Sequence, residues 1–550
     1  MDSLRQGKSR IVESGHTLIL GWTEKTFHIV EELCEANASE GGGVIAILAN
    51  ESKERMEDEL RIQLPVKRRR GTRIVVRTGS SLVANDLLRV SVHMARAVVI
   101  LASPGEADRA DADTLRTMLT LRNMFSSLHG HVVAEVRDID NEPLVKMVGG
   151  DVVETLVSHD MIGRLMLMSV RQPGLAKVYE ALLGFEGDEF YMAEWPELVG
   201  RTFGELVGMF PDAVPVGVVT ATGDAVLNPG ASHGICPGDQ LIVIAEDNNT
   251  YKPHKPMPVE AGEPPKLPSE RKQREVILFC GWRRDVRDIL QQLDRMVERG
   301  SEVHLMTHCV PVSKRNERLM EDGMDVSELK NLQLVHFFGN TSVRRKLEAL
   351  PLEKYSSCMI FADQLFETEP MHADSHSLAT LLLIRNIQAQ RNLAESGGGE
   401  IRERLRKISC LTDRLCPMIC EILDPHTQRT VAESDHLVLA SDFCRSNRLI
   451  AQVLTMVSEE RAVKVLLNEL LGSKGVSIHV VPPTRYALPG EGLSFWALSK
   501  RALQFHETVI GYQLRNSTEG TVLNPPKKGE VFAWDRCDLA ILKGEMTRGS

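Results

Sequence analysis

Short apolar runs alternate with amphipathic segments along the first 160 residues of the chain. The runs are rich in valine, isoleucine and leucine, and they predict six strands, at residues 18–20, 44–48, 73–77, 97–102, 131–136 and 152–156. Between the runs, apolar residues recur at helical spacing, as in residues 113–125. Nearly continuous apolar strands separated by helices are typical of a parallel sheet covered on both faces. The pattern therefore predicts an α/β domain of the Rossmann-like kind over residues 16–160.

The same pattern occurs a second time, and Gly21-Trp22 after the first strand corresponds to Gly281-Trp282. Apolar runs predict the strands of this second sheet at residues 276–279, 303–306, 333–337, 357–362, 417–422 and 438–440. Each sheet domain is followed by a long helical stretch, at 161–183 and 448–471, and then by short strands with turn signals such as Asn228-Pro229 and Asn524-Pro525. The chain is therefore an internal repeat of one composite unit.

The repeat divides the chain into six segments. They are a polar connector (1–15), the first sheet domain (16–160), its helical crossover with a small α+β lobe (161–246), a proline-rich linker (247–274), the second sheet domain (275–445), and the second crossover with its small lobe (446–550). The linker carries six prolines among charged residues and has no apolar period, so we expect it to be extended.

Composition narrows the class of protein. The chain has 550 residues with a net charge of −10, which argues against general nucleic-acid binding. No apolar run approaches the roughly 18 residues needed to cross a bilayer, and the first ten residues lack the apolar core of a signal peptide. We expect the chain as given to be soluble. Ten scattered cysteines indicate a reducing compartment and mostly buried thiols, and Cys410, Cys416 and Cys420 match no common zinc spacing.

The turns after the two first strands do not carry the pattern of a dinucleotide site. Such a site needs Gly-x-Gly-x-x-Gly, because glycine lets the backbone approach the pyrophosphate. The second and third glycines are missing here, tryptophan follows the remaining glycine, and Glu24 and Asp285 would repel an anion. Arg283 and Arg284 could still meet a phosphate. We find no motif of nucleophilic or metal-assisted catalysis and no Cys/His pairing that defines a site, so we do not expect an enzyme.

Carboxylates gather where the fourth and fifth predicted strands of the first domain end. The candidates are Glu106, Asp111, Asp113, Glu135 and Asp138. Several carboxylates at one edge of a sheet make an oxygen-rich site suited to a hard cation such as Ca²⁺. The alternative is that these acids cap helices on a solvated face. The second domain repeats the layout with Glu367, Glu369, Asp374 and Glu421, which favours the cation site.

Several short motifs resemble those of RCK domains, which regulate potassium conductance in channel gating rings and Trk-type transport subunits. They are Asp111-Ala-Asp-Thr114, Val133-Ala-Glu-Val136, Val148-Gly-Gly-Asp-Val152 and Gly163-Arg-Leu-Met166. Residues 2–9, 16–22 and 277–283 look more closely like the plant CASTOR/POLLUX ion-channel family of the nuclear envelope. The resemblance covers essentially the whole chain, and it implies two tandem RCK units, each a Rossmann-like parallel-sheet domain with a helical crossover and a small α+β lobe.

That resemblance also implies a function. It implies a homotetramer whose eight RCK domains form a gating ring, attached to a pore-forming transmembrane region that precedes this chain in the full-length protein. It further implies cation permeation, calcium-linked gating and a part in nuclear calcium signalling during root symbiosis. In calcium-gated RCK domains the ion binds at positions that match Asp111, with Asp113 adjacent, and Glu135. One further acidic position of that pattern is Arg137 here, for which Asp138 or Glu106 could substitute.

Two other functions stay open at this point. One is a potassium transport subunit of the RCK/Trk type that is regulated by a nucleotide such as NAD or ATP. The other is a degenerate dehydrogenase that serves as a scaffold. The missing glycines of both turns disfavour the first, and the lack of catalytic motifs is compatible with the second.

Overall fold

The computed structural model describes residues 6–38, 40–124, 128–185, 187–265, 274–366, 369–395, 416–434, 441–471, 475–515, 517 and 520–544. The chain divides into two compact units. We call them the sheet unit (Met1–Val170 with Gln273–Arg461) and the small-lobe unit (Arg171–Lys272 with Ala462–Ser550). Each unit thus combines one part from each half of the repeat.

The first domain of the sheet unit is built on a parallel six-stranded sheet with the order β3-β2-β1-β4-β5-β6. Its strands are β1 (Thr17–Leu20), β2 (Val44–Ala49), β3 (Arg73–Thr78), β4 (Ala97–Ile100), β5 (His131–Val136) and β6 (Val153–Val157). Its helices are α1 (Glu24–Ala36), α2 (Lys53–Gln63), α3 (Ala84–Arg89), α4 (Ala107–Arg122), α5 (Glu142–Gly149) and α6 (Ser158–Arg171). This is the strand order of a Rossmann-type sheet.

The turn between β1 and α1 follows from local chemistry. Gly21 has a φ of +121°, and a Cβ there would lie 3.2 Å from Cβ of Leu101, so a larger residue would be strained. Thr23 then caps the helix, because its side chain and that of Thr26 bond reciprocally to backbone amides. The two residues make the sharp entry into α1 that brings its first turn to the carboxyl edge of the sheet.

The next elements belong to the small-lobe unit. They are α7 (Leu175–Leu182), β7 (Glu189–Glu194), α8 (Phe203–Leu206), β8 (Ala213–Val219), β9 (Ala225–Leu227) and β10 (Gln240–Ala245). The strands form an antiparallel sheet in the order β7-β10-β8-β9. The proline-rich segment that follows has neither helix nor strand over its described residues, and Tyr251 packs into the core of this lobe.

The second domain of the sheet unit repeats the first, with the order β13-β12-β11-β14-β15-β16. Its strands are β11 (Val276–Cys280), β12 (Ser301–Thr307), β13 (Leu332–Phe338), β14 (Ser357–Ile360), β15 (Met418–Ile422) and β16 (Asp442–Arg445). Its helices are α9 (Val286–Met296), α10 (Val312–Glu321), α11 (Arg344–Glu348), α12 (Pro370–Glu395), α13 (Pro425–Ala432) and α14 (Ser446–Glu459). The predicted fold class, two tandem Rossmann-like parallel sheets, is therefore confirmed. The sixth strand expected at 438–440 lies outside the described residues.

The remaining elements complete the small-lobe unit. They are α15 (Val463–Leu471), β17 (Val476–Val481), β18 (Gly492–Ser494), α16 (Phe495–Leu503), β19 (Glu507–Leu514), β20 (Val522–Leu523), β21 (Val531–Ala533) and β22 (Cys537–Gly544). Strands β17-β22-β19-β20 form one antiparallel sheet, and β18 pairs with β21 in another. Short strands therefore follow each helical stretch, as the turn signals predicted.

Both stretches predicted to be helical, 161–183 and 448–471, are helical in the structure, and each consists of two helices. The first ends at Arg171 and resumes at Leu175, because Pro173 cannot continue the hydrogen-bond ladder and Gly174 adopts a φ of +86°. The second break follows Glu459, where Glu460 is extended with a φ of −134°.

The two domains of the sheet unit exchange helices. Helix α14 comes from the second half of the chain and packs on α1 of the first domain, where Nε2 of Gln452 donates to Oε1 of Glu32 at 3.1 Å. Helix α6 comes from the first half and packs on α9 of the second domain, where Gly163 lies against Ile289. Each domain therefore packs against a helix from the other half of the chain.

No helix among the residues that the structure describes is long and apolar enough to span a membrane.

Candidate ligand site at the carboxyl edges of the two sheets

Strand β5 places Glu135 at the carboxyl edge of the first sheet with no exposed surface. Its Oε1 lies 2.5 Å from Nζ of Lys25, which comes from the first turn of α1. Its Oε2 accepts a hydrogen bond from the backbone amide of Ala102 at 3.1 Å. Burial alone would raise the pKa of Glu135, but the Lys25 ammonium holds it below its ordinary value. Both oxygens of this predicted calcium ligand are thus bonded within the protein.

Glu421 occupies the equivalent position in the second sheet, and a different cation neutralises it. Nη1 of Arg283 lies 2.7 Å from Oε1 of Glu421, and the amide of Ala362 donates to Oε2 at 3.0 Å. The hydroxyl of Ser446 also donates to Oε1, at 2.7 Å. Both sheets therefore have a buried glutamate at this position, but a lysine neutralises it in the first domain and an arginine in the second.

The arginines of the second turn, where a dinucleotide would bind, are engaged in ion pairs. Arg283 bonds both oxygens of Asp285 at 2.8 Å, and Trp282 beside it is only 2% exposed. Arg284 is engaged too, since its Nη2 lies 2.8 Å from a carboxylate oxygen of Asp108 and of Asp138. Both arginines that could have bound a phosphate are therefore already paired with carboxylates in this conformation.

Asp111 and Asp374 cap the loops that follow the fifth strands. Oδ1 of Asp111 accepts from the amide of Arg137 at 2.8 Å, while Oδ2 accepts from the amide of Asp138 at 3.0 Å and from Asn141 Nδ2 at 2.9 Å. Asp374 likewise accepts from two successive amides of its own domain, both at 2.8 Å. Burial raises the pKa of both carboxyl groups, that of Asp374 to about 7. These acids hold the two loops in matching conformations.

The other predicted ligands lie apart. Asp113 is half exposed on α4, 3.8 Å from Nη1 of Arg116, and Glu106 is at the N-cap position of α4 without a capping bond from its side chain. Asp138 is paired with Arg284. In the part of the chain that the structure describes, these carboxylates form no group of three ligand atoms within 4.8 Å of one another. Ca²⁺ therefore does not fit at Asp111 and Glu135 in this conformation, and calcium binding by these residues stays a prediction. Glu367 lies outside the described residues.

A cavity of about 240 Å³ between the two domains of the sheet unit is rich in acids. Its charged lining residues are Arg137, Asp138, Asp140, Asp160, Arg284, Asp285, Arg287, Asp288, Glu321 and Asp322. Burial raises the pKa of Asp288; Arg287 opposes the shift, and the carboxylates of Asp140 and Asp138 add to it. Burial also raises the pKa of Asp160 and Asp322, although arginines near them oppose the shift. We call this space the acid-rich cavity; seven carboxyl groups face three arginines in it.

Two arginines of the second domain reach across the acid-rich cavity to the first. Arg284 binds Asp138 and Arg287 binds Asp140, each at 2.8 Å. Arg284 lies just before α9 and Arg287 in its first turn, and both aspartates are in the loop after β5, the loop that Asp111 caps. From the sequence we expected an acidic edge in each domain, but the pattern did not indicate that basic residues of the repeat would be paired with it.

A second cavity, of about 330 Å³, lies where the two repeated turns face each other. Trp22 and Lys25 of the first turn and Arg283 of the second line it, together with Glu421 and Ile450. Because all these residues belong to the sheet unit, both carboxyl edges contribute to a single region between the domains. The candidate functional site is this region together with the acid-rich cavity.

The fold resembles one solved assembly over nearly its full length. The human SLO3 gating ring superposes with a TM-score of 0.61 at 13% sequence identity, covering 97% of this chain and 100% of that one. A family model described as the calcium-activated potassium channel slowpoke-like RCK domain matches residues 12–143. The fold is therefore that of tandem RCK domains.

Sequence comparison then gives the family. A model described as Castor and Pollux, part of voltage-gated ion channel, matches residues 159–261. The chain is 43% identical to the ion channel CASTOR of Lotus japonicus and 41% identical to the probable ion channel POLLUX of Arabidopsis thaliana, over 98% of its own length in each case. It belongs to the Castor and Pollux family of ion channels. It spans 63% of the CASTOR relative and 66% of the POLLUX relative. Both relatives are named as channels, which supports the expectation that the chain is not an enzyme.

Proposed function

We propose that this chain is the regulatory gating-ring region of a tetrameric cation channel. Four copies would form a ring of eight RCK domains, attached to the pore-forming transmembrane region of the same full-length protein. Two findings support the proposal, namely membership of an ion-channel family and a fold like that of a gating ring. On the family resemblance alone, we also propose that the full-length channel acts in the nuclear envelope, in calcium signalling during root symbiosis.

The observation that carries the proposal is the pair of ion bridges across the acid-rich cavity. Arg284 and Arg287 hold Asp138 and Asp140 at 2.8 Å, so the two domains of one chain are tied through exchangeable charges. A ligand that competes for these carboxylates has different affinities for the bridged arrangement and for an arrangement in which the bridges are broken. Such a difference in affinity is what allows a ligand to shift a conformational equilibrium.

The ligand proposed for this cavity is Ca²⁺. Carboxylate oxygens are the donors that Ca²⁺ prefers, and Asp138, Asp140, Asp160, Asp288 and Asp322 supply them. Among the described residues, no three of these carboxylates have ligand atoms within 4.8 Å of one another. Binding would therefore require Arg284 and Arg287, which are paired with Asp138 and Asp140, to withdraw. By contrast, Asp111 and Glu135 would have to give up backbone amides and a buried lysine. The cavity is therefore the better candidate of the two.

Calorimetry on the purified chain tests the ligand. We expect Ca²⁺ to bind to the wild type and to bind at least about tenfold more weakly to the Asp138→Asn/Asp140→Asn variant, because calcium affinity depends on the number of charged ligands. The Asp111→Asn/Glu135→Gln variant tests the positions expected from the sequence. Asp58→Asn, an exposed acid on α2, is the matched control and should change nothing. Equal affinity in all four proteins would contradict a calcium site in either place.

Light scattering tests the assembly separately from the ligand. A gating-ring region should form tetramers, or dimers that associate further with concentration, whereas a chain that stays monomeric at high concentration would contradict the ring.

A nucleotide-regulated transport subunit is the alternative, and the cavity of about 330 Å³ between the two turns is the observation that favours it. NAD, NADH or ATP should then raise the unfolding temperature, because a ligand that binds only the native state stabilises it. If a nucleotide raises that temperature and Ca²⁺ does not, the alternative replaces calcium sensing.

A further inference from the structure

Three side chains with metal-binding atoms meet at the carboxyl edge of the second sheet. His308 and Cys309 directly follow β12, and Asp363 follows β14. One ligand atom of each lies within 4.8 Å of the other two, and this is the one such group of His, Cys, Asp and Glu side chains in the described ranges of the chain. Nδ1 of His308 is 4.0 Å from Sγ of Cys309. The three side chains lie in loops on either side of β11, so only the folded sheet brings them together.

Asp363 points to a ligand independently of this clustering. The side chain is 2% exposed, and its Oδ1 accepts from the amide of Leu365 at 3.3 Å. Its Oδ2 is buried and accepts no N–H or O–H hydrogen bond from the residues that the structure describes, although the thiol of Cys309 lies beside the carboxylate. Buried carboxylate oxygens in native proteins are almost always bonded, and an exception calls for an ion or a molecule that satisfies it.

We propose that His308, Cys309 and Asp363 bind a transition-metal ion of the Zn²⁺ class. Imidazole nitrogen, thiolate sulfur and carboxylate oxygen are the ligands that Zn²⁺ takes in proteins, and three protein ligands leave a fourth position open. Zinc–ligand distances are about 2.0–2.3 Å, so donors within 4.8 Å of one another need only small side-chain rotations to surround the ion. Calcium is excluded from this set because it selects oxygen ligands.

The surroundings of the cluster are aromatic and contain a further imidazole. The ring of His376 lies 5.9 Å from that of His308, and Phe366 packs against both, at 6.5 Å from His308 and 5.6 Å from His376. Nε2 of His376 is bonded to Oδ1 of Asn340 at 2.9 Å, a partner of the kind that orients ligand histidines through their second nitrogen. His376 is the neighbouring side chain that could fill the fourth position.

The first domain shows that the fold by itself does not create this cluster. The strand registers align Leu48 with Met306, which places Asn50 and Glu51 at the positions of His308 and Cys309. They also align the ends of β4 and β14, which places Ser103 at the position of Asp363. The repeat therefore retains the two loops but carries the metal-binding set only in its second copy.

Cobalt substitution on the full chain tests the site. After treatment with a chelator, the wild type should bind one Co²⁺ ion at this site. The cobalt-loaded protein should then show the absorption of a cobalt–thiolate bond, which the metal-free protein lacks. Zn²⁺ should abolish that absorption by displacement, and millimolar Ca²⁺ should not. If the wild type shows no thiolate absorption with Co²⁺, the proposal is wrong.

Variants locate the ligands. Cys309→Ser should remove the thiolate absorption, and Asp363→Asn should weaken Co²⁺ binding by roughly tenfold or more. Cys236→Ser, which removes an exposed thiol in the small-lobe unit, is the matched control and should keep both. Absorption that survives in Cys309→Ser, or disappears in Cys236→Ser, would overturn the assignment. The unfolding temperature of each metal-free variant shows whether it is folded. If Cys309→Ser does not fold, the Co²⁺ affinity of Asp363→Asn decides the outcome.

Discussion

At the scale of single residues, each sheet of the sheet unit ends in a buried glutamate that is paired with a cation, but the cation differs between the two. Glu135 and Glu421 end equivalent strands, but Lys25 neutralises the first from four positions after Gly21, and Arg283 the second from two positions after Gly281. Both pairs are buried, so each charge is compensated chiefly by its partner. Each cation therefore has a structural role where a cofactor-binding Rossmann turn would present bare backbone.

The Lys25–Glu135 pair makes a prediction for stability. Lys25→Met should lower the free energy of unfolding by about 3–5 kcal/mol at pH 7, because it leaves a buried carboxylate without its partner. Replacing both residues, as in Lys25→Met/Glu135→Leu, should recover most of the loss. Urea unfolding followed by circular dichroism measures both; a Lys25→Met variant as stable as the wild type would contradict the role of the pair.

The pH dependence of the same variant has a defined sign. In the wild type the pKa of Glu135 is lowered, so its contribution is present above the ordinary pKa of a glutamate and is lost as the pH falls through the lowered value. Without the ammonium, burial raises the pKa of Glu135, so the variant gains stability as the pH falls. The difference between the two proteins should therefore narrow from pH 7 towards pH 4.

His28 predicts an acid-sensitive contribution. Burial first, and then Arg448, Arg429 and Arg445, lower the pKa of His28 to about 3, compared with about 6.5 in the unfolded chain. Its contribution is therefore present above pH 6.5 and is lost as the pH falls towards 3. Relative to His28→Gln, the wild type should lose about 2–3 kcal/mol between pH 7.5 and pH 4.5 in urea titrations. The exposed His254→Gln variant is the control, and parallel profiles of wild type and His28→Gln would contradict this account.

At the scale of elements, the exchange of α6 and α14 decides how the two RCK domains hold together. Helix α14 is buried along most of its length, although it carries Gln452 and Thr455 among its apolar residues. Nε2 of Gln452 donates to Glu32 of α1, and the hydroxyl of Thr455 donates to the carbonyl of Ala451. A helix that looks like a connector in the sequence is thus a core element of the other domain.

The contact of α6 with α9 predicts a steric effect. A Cβ on Gly163 would lie 2.5 Å from Oδ2 of Asp285 and 3.0 Å from Cγ1 of Ile289. Gly163→Leu should therefore lower the free energy of unfolding by about 1–3 kcal/mol, even though leucine is the better helix former. Gly234→Ala, where a Cβ meets no atom within 4 Å, is the control. A Gly163→Leu protein more stable than the wild type in thermal unfolding would show that α6 does not pack there.

At the scale of the whole chain, each compact unit combines matching parts of the two halves. In the small-lobe unit the two halves are joined by the repeated Asn-Pro turns. Nδ2 of Asn228 donates to the carbonyl of His506 at 2.7 Å, and Nδ2 of Asn524 donates to Oδ1 of Asp188 at 2.6 Å. Both asparagines have positive φ, of 48° and 42°. The Asn-Pro motif that is repeated in the sequence therefore makes a reciprocal contact between the two lobes.

Replacing both asparagines with glycine tests this contact, since glycine keeps the backbone conformation and removes only the side-chain bonds. The Asn228→Gly/Asn524→Gly variant should be about 1–3 kcal/mol less stable, from the lost hydrogen bonds, and its amides in β8 and β19 should exchange faster. Asn248→Gly, an exposed asparagine of the same unit, is the control. Unchanged exchange in both strands would mean that the bonds do not couple the lobes.

Much of the candidate site could be predicted from strand ends. The acids at Asp111, Glu135, Asp374 and Glu421 do lie at the carboxyl edges, because parallel strands end on the same side of their sheet. The cations that pair with Glu135 and Glu421 could not be predicted, because they stand at different positions in the two repeats. Lys25 lies in the first turn of α1, whereas Arg283 lies before α9. The His308–Cys309 pair was also missed, because its third member is 54 residues further along the chain, at Asp363.

The sequence alone determined the fold and its duplication, because apolar period and glycine positions are local signals that are read twice in the same order. It also determined that both turns lack the second and third glycines of a dinucleotide site. The tertiary structure decided what lies at the turns Gly21-Trp22 and Gly281-Trp282, namely buried ion pairs between residues just after the turns and the fifth strands. It also decided which helix covers which sheet and which charges bridge the domains, because those contacts join residues far apart in the chain, whose pairing depends on the packing of whole elements.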